Sequence, residues 1–364
     1  MPIFMDRHNV SDSVTAEHVA QLHQEDLKIQ DHFGCRGLTY WFDGKRKTAF
    51  CLIEAPNEQA LRDMHDKAHG EIPHSIIEVD ASIVESFLGR IEDPHKKQSN
   101  TLHLIDDPAF RTLMVIAKES TFSTYHDVRQ SADLLKEYYE AVRLLLKEYN
   151  GRIVKENDDH FLVSFDSVSK AVSAALEIKT KIHESKFENI SLKLGLSAGV
   201  PVTEKKSIFE DTINLAERIC AMIPGEIIIS ADVAALSGSE NVTTFTKTDN
   251  IIVLKPDEEI FITQLMDFID SAWADSNVKV DDFSKPVGLS KSQCYRKLKI
   301  LTGKSPNIFL KDYRLKKALE LLNKKIKNVS EIAFETGFTS PSYFSKCFQK
   351  KYGHTPSEHL LAKA

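Results

Sequence analysis

His65 and His69 stand four residues apart in a stretch whose apolar spacing predicts a helix from Asn57 to His69. That spacing puts both imidazoles on one helix face, as a pair of transition-metal ligands requires. Alternation along a first predicted strand puts Asp6 and His8 on a common face, and Glu78 falls on a later strand of the same segment. Imidazoles with a carboxylate suit nickel, zinc or copper, and affinity order alone does not choose among them. A second chemistry is signalled downstream. Ser290, Ser292, Arg296 and Gly303 recur fifty residues later as Ser340, Ser342, Lys346 and Gly353. Each copy turns cations and short polar groups to one side of a helix, as a helix lying in a DNA major groove does.

The elements that must position the histidines are strand Ile3 to Val10, helix Thr15 to His32, strands Leu38 to Phe42 and Thr48 to Glu54, helix Asn57 to His69 and strand Ile76 to Val79. A short helix near Ser82 to Leu88 closes the segment. The order βαββαβ is ferredoxin-like, with Gly44 suited to the hairpin between the middle strands. After a linker containing EDPHKKQSN come strand Leu113 to Ile116, helix Val128 to Tyr149 and the hairpin GRIVKENDDHFLVSF. Helix Ser167 to Ile182, strand LKLGLSAGV, helix TINLAERICAMI and strand GEIIIS follow. The fold class expected is multidomain α+β: two βαββαβ ferredoxin-like-type domains, then an all-α double helix-turn-helix domain. The corresponding spans are 1–91, 108–258 and 260–364.

In the tail, Gly288 and Gly337 sit where a short helix must stop, because glycine adopts positive φ at little cost. Ser290 with Gln293, and Asn328 with Glu331, are spaced as capping boxes, and Ser340 precedes Pro341 at a helix start. Cys294, Leu298, Leu301, Phe344 and Phe348 face inward; Lys291, Arg296, Lys297, Lys299, Lys346, Lys350 and Lys351 face outward. With the helix RLKKALELL between the copies, the segment resembles the AraC/XylS-type DNA-binding domain. Pro286, near the end of the first copy's leading helix, departs from that family's pattern. The resemblance implies two recognition helices in successive major-groove segments on one face of double-stranded DNA, about 34 Å apart. Candidate base readers are Ser292, Tyr295, Arg296, Ser342, Tyr343 and Lys346; Lys291, Lys297, Lys299, Lys350 and Lys351 are the candidate phosphate contacts.

Two further resemblances bear on control. Residues 1–80, with MPIFMDRHNV and ALRDMHDKAHGEIPHSIIEVD, resemble a small ferredoxin-like bacterial family of nickel-binding proteins. That likeness implies His8, His65 and His69 as ligands, with Glu78 a weaker candidate, and a dimer contact through the sheets. Residues 111–238, with GRIVKENDDHFLVSF, LKLGLSAGVPV, INLAERI and PGEIIISADV, resemble the class III nucleotide cyclase domain. On that likeness Asp159 matches a metal-binding aspartate, and Asn214 and Arg218 match a transition-state pair. The second metal aspartate is missing: Ile116 and Ala117 occupy its place, beside Lys118. Ser207 stands where a base-selecting aspartate is usual. Losing one of two metal ligands removes most of the charge neutralisation that such a site supplies. The expectation is therefore a non-catalytic, nucleotide-like pocket at Asp159, Asn214 and Arg218. The alternative is an adenylate or guanylate cyclase fused to a DNA-binding domain.

Composition fits this division. The 364 residues are 42% hydrophobic and 27% charged, proportions of a globular chain with room for two or three domains. No apolar run approaches the ~20 residues of a membrane span, and no secretion signal opens the chain. Five scattered cysteines without CxxC pairing argue for a reducing cytoplasm. The net charge of −6 conceals an asymmetry. From Ile262 onward 16 Lys and 2 Arg stand against 10 Asp and Glu, a balance of +8, so the remainder carries −14. A basic tail on an acidic body suggests that only the tail meets a polyanion. The expected molecule is a cytoplasmic, homodimeric transcription regulator without enzymatic activity. Its effector is a nickel-group ion (Ni2+, Zn2+ or Cu2+) or a nucleotide-like small molecule.

Overall fold

A computed structural model describes residues 1–93, 104–105, 107–120, 127–157, 160–183, 190–223, 227–239, 251–324 and 327–362. The front unit runs β1 (Ile3–Asn9), α1 (Ala16–Ile29), β2 (Arg36–Asp43), β3 (Thr48–Glu54), α2 (Glu58–Ala68), β4 (Ser75–Val79) and α3 (Ala81–Leu88). Its sheet has the order β2-β3-β1-β4, every neighbour antiparallel. The β2–β3 turn is organised by Asp43, whose Oδ1 accepts from Lys45 N and Arg46 N, each at 3.0 Å; Lys47, not Gly44, takes the positive φ of 53°.

The second unit repeats that plan. It contains β5 (Arg111–Ser120), α4 (Asp127–Glu148), β6 (Arg152–Glu156), β7 (His160–Phe165), α5 (Val168–His183) and β8 (Ile190–Gly199). Then come α6 (Glu210–Met222), β9 (Ile227–Ile229), α7 (Ala231–Ser239) and β10 (Ile251–Val253). The sheet order is β10-β9-β8-β5-β7-β6, so β6-β7-β5-β8 copies the front order and β9 and β10 extend it in parallel.

Strand alternation gives each sheet two buried faces. Phe4, Tyr40, Cys51 and Ile53 pack beneath α1 and α2, and Met114, Ile116, Phe161 and Val163 pack with α4 and α5. The opposite faces share one cluster: Met5, Leu38, Phe50 and Leu52 from the front sheet lie with Leu113, Val115 and Leu162 from the second. The face through which two copies were expected to pair is thus covered by the same chain. The reason is compositional, because the second sheet presents an apolar face of its own and is tethered to the first.

The tail holds α8 (Pro256–Ala272), a 3-10 turn (Val280–Phe283), α9 (Lys291–Thr302), α10 (Pro306–Lys324), α11 (Val329–Glu335), α12 (Pro341–Tyr352) and α13 (Pro356–Ala362). The expected caps form: Ser290 with Gln293, Asn328 with Glu331, and Ser340 accepting from Tyr343 N at 3.3 Å. Gly288 and Gly337 take φ of 63° and 75°. Before the first turn, however, the leading helix shrinks to the 3-10 turn. Pro286 has no amide hydrogen and its ring crowds the carbonyl four residues earlier, so an α-helix does not continue there. Helix α8 crosses the boundary expected at 258–260 and joins the units. Its Phe261, Ile262, Leu265, Met266 and Ile269 are buried between Ile219, Met222 and Ile223 of the α6 region and Cys294, Leu298 and Leu301 of α9. Among the described residues no helix is long and apolar enough to cross a membrane.

Candidate metal centre and nucleic-acid interface

Asn57 caps α2 by accepting from Ala60 N at 3.0 Å, which sets the register that turns His65 inward; His69 ends the helix. His65 is 1% exposed and lies between two carboxylates. Its Nε2 is 2.9 Å from Asp6 Oδ2 on β1, and its Nδ1 is 3.1 Å from Asp26 Oδ1 on α1. His69 Nε2 is 3.3 Å from His65 Nδ1 and 3.2 Å from the same Asp26 oxygen. Beside Asp6 lie His8, whose Nε2 is 3.5 Å from Asp6 Oδ1, and Cys51, whose backbone N donates to that oxygen at 2.9 Å.

Burial and partners oppose each other here. Burial lowers the pKa of His65, but hydrogen bonds to Asp26 and Asp6 outweigh it and raise the imidazole from 6.5 to about 10. Burial raises Asp6, yet His8 and His65 hold its carboxyl far below the usual range; Asp26 is lowered in the same way by His65 and His69. Burial and the nearby Asp6 push the Cys51 thiol well up. The cluster is a protonated imidazole bracketed by two carboxylates, in which a metal ion would take the proton's place.

The donors fit a transition-metal ion. Asp26 Oδ1, His65 Nδ1 and His69 Nε2 form a triangle with edges of 3.1, 3.3 and 3.2 Å. Bonds of about 2.0–2.1 Å in tetrahedral geometry need edges of about 3.4 Å, so small shifts suffice. Two imidazoles and a carboxylate would hold the ion, leaving one position open. Of the expected ligands, His65 and His69 meet directly and His8 lies on the far side of His65. Glu78 stands apart, exposed on β4 opposite Phe4. It shares the cluster's face of the sheet, but it lies two residues along β4 from Ile76, the partner of Asp6.

Two of the three residues expected of a nucleotide-like pocket are described. Asp159 lies outside the described residues. Asn214 and Arg218 share a face of α6, but Arg218 reaches α8: Nη2 is 2.7 Å from Asp267 Oδ1 and 3.4 Å from Asp270 Oδ2, and Nη1 donates to Thr263 O at 3.3 Å. Ile116 is buried among apolar side chains on β5.

On α9, Cys294, Leu298 and Leu301 are buried while Ser292, Tyr295, Arg296 and Lys299 are exposed. Lys291 is exposed but paired with Asp281. Lys297 turns back to α8, its Nζ 2.7 Å from Asp257 Oδ2 and 5.2 Å from the centre of the Phe261 ring. On α12, Phe344 and Phe348 are buried, and Ser342, Tyr343, Lys346 and Lys350 are exposed. Lys351 donates to Asp312 O at 2.9 Å. Each helix therefore carries an outward strip of polar and cationic side chains.

Residues 4–79 match the family described as "Nickel responsive protein SCO4226-like", and residues 283–361 match the family described as "Helix-turn-helix domain". Residues similar to the tail occur in the uncharacterized HTH-type transcriptional regulator YdeC of Bacillus subtilis, 38% identical over 22% of this chain and 27% of that protein. The chain carries an SCO4226-like domain in front and an AraC-type helix-turn-helix domain behind. The crystal structure of SCO4226 from Streptomyces coelicolor A3(2) is 31% identical over 21% of this chain and 94% of its own, at a TM-score of 0.20. A longer similarity, 26% identity over 77% of this chain, is to "Histidine kinase P4" of Formosa agariphila. The chain spans 21% and 27% of the lengths of these two curated relatives.

Within the SCO4226-like domain, sequence reasoning missed Asp26 and Cys51. A signal for Asp26 existed, since it follows Val19 and His23 at four- and three-residue steps on the buried face of α1. An acid on a core-facing stripe needs a buried partner. For Cys51 alternation on β3 gave only burial. In the AraC-type domain the commitment of Lys297 to Asp257 was not readable, because Asp257 lies in a preceding helix for which no contact was foreseen.

Proposed function

We propose that the chain is a sequence-specific, DNA-binding transcription regulator of the AraC type, with a front domain that takes a nickel-group ion as effector. The carrying observation is the pair of outward strips on α9 and α12, with Ser292, Tyr295 and Arg296 on one and Ser342, Tyr343 and Lys346 on the other. Arg296 offers a fork suited to guanine O6 and N7, worth about 1–3 kcal/mol of discrimination. Lys299 and Lys350 supply sequence-independent contacts to phosphate. The metal reading is supported by the Asp26–His65–His69 triangle in the SCO4226-like domain; the ferredoxin-like reading of that domain rests on its strand order.

The route between ion and DNA runs through packing. The front sheet shares its core with β5, β7 and α6, and α6 holds α8 against α9. Five buried apolar side chains on α8 contribute about 1.5–3 kcal/mol each, far more than ion pairs such as Arg218 with its half-exposed acids, at about 0.2–1 kcal/mol. Packing holds α8, and Arg218 fixes its register. Selection from a pool of random duplexes by the purified chain tests the DNA reading. A recovered motif with two half-elements one helical turn apart is expected; a pool that stays random overturns it.

A further inference from the structure

We propose that the front domain holds two transition-metal ions, one on each side of His65, with Asp6, His8 and Cys51 completing the second site. This rests on the metal reading above. An imidazole carries its nitrogens on opposite edges of the ring, so His65 cannot offer both to one ion. It aims Nδ1 at Asp26 and His69, at 3.1 and 3.3 Å, and Nε2 at Asp6, at 2.9 Å. A single ion in the first triangle leaves the Nε2 side with a carboxylate, an imidazole and a thiol of its own. The four potential ligand atoms there lie within 4.8 Å of one another, and all four residues are buried.

One observation on that side points to a ligand. His8 Nε2 is buried without a hydrogen-bond partner among the described residues, although it faces Asp6. Buried polar atoms are normally satisfied, and a bound cation would satisfy this one. The donor sets differ usefully. The first is nitrogen and oxygen, whereas the second adds sulfur, which favours nickel, zinc, copper or cobalt over magnesium or calcium. Loading both sides sends both ring protons of His65 and the thiol proton of Cys51 to the buffer. Two carboxylates, a bridging imidazolate and a thiolate then balance two divalent cations, so the buried site is neutral.

The test uses the full chain, stripped of metal and titrated with Co2+, with bound ions counted by native mass spectrometry. A His359→Ala background removes the half-buried pairing of His354 and His359, whose ring nitrogens lie 3.0 Å apart. Two Co2+ per chain and a thiolate-to-cobalt charge-transfer band are expected. Cys51→Ser should keep one ion and lose the band; Asp26→Asn should keep one ion and the band. One ion per chain, or two without the band, overturns the second site and leaves the first standing. No bound ion overturns the metal reading itself. If a variant fails to fold, the parent's ion count and band decide alone.

Discussion

In metal-free protein the front domain should lose stability as pH rises from about 6 to about 9.5, and His65 should be the cause. Its pKa is 6.5 ordinarily and about 10 in the fold. A pKa higher in the fold than in the unfolded chain favours the fold while the imidazole stays protonated. The contribution is therefore complete below 6.5, falls through the interval and is gone above about 10. Each unit corresponds to about 1.4 kcal/mol, and because two carboxylates share the effect, a loss on the order of 3–5 kcal/mol is expected. Asp6 and Asp26 work in the opposite direction: their pKa values are held below 3.8, so their contribution is present above that value and lost in acid. Stability should peak between about pH 4 and 6.5. Trp41 is fully buried between the sheets, so its fluorescence in a Trp273→Phe background reports the urea transition. His65→Gln should flatten the decline between about pH 6 and 9.5. If the parent and His65→Gln curves run parallel, His65 is not the proton-linked group.

Other perturbations address the DNA reader and its hold. Arg296→Ala should relax preference at one base position by about 1–3 kcal/mol, whereas Lys350→Ala should weaken binding to specific and random duplexes alike; competition binding separates the two. Asp257→Ala should release Lys297 for phosphate contact and steepen the salt dependence of binding by about one ion, measured as log affinity against log salt. An unchanged slope would mean that Lys297 never reaches the duplex. Gly195→Ala should cost about 1–3 kcal/mol, because an added Cβ would sit 2.4 Å from Ala216 O and push α6 off β8. Thermal unfolding reads that cost, and no change in transition temperature would count against the tight seating of α6.

What was legible in the sequence was mostly local. Gly288, Gly337 and the Ser290–Gln293 box announce their turns because the physics lies within four residues. Both βαββαβ orders follow from periodicity. Pro286 flagged the one place where the tail departs, and the structure answers with a 3-10 turn. The rest depends on distant chain meeting in space. Asp26 and His65 are 39 residues apart, and Arg218 and Asp267 are 49 apart. No periodicity encodes such pairings. Glu78 was chosen for its charge and strand position and does share the cluster's sheet face, but its pairing opposite Phe4 rather than Asp6 leaves it exposed and apart from the histidines. The covering of one sheet by the other was equally out of reach, since each apolar face suits either its own copy or a partner.

The measurement that bears most directly on a metal-controlled DNA reader is affinity for the selected duplex with and without Ni2+, on the parent chain and on His69→Ala. A coupling of about 1 kcal/mol or more predicts at least a fivefold change in affinity on adding the ion to the parent, and none in His69→Ala. Equal affinity with and without the ion, in a chain shown to bind it, would contradict the account.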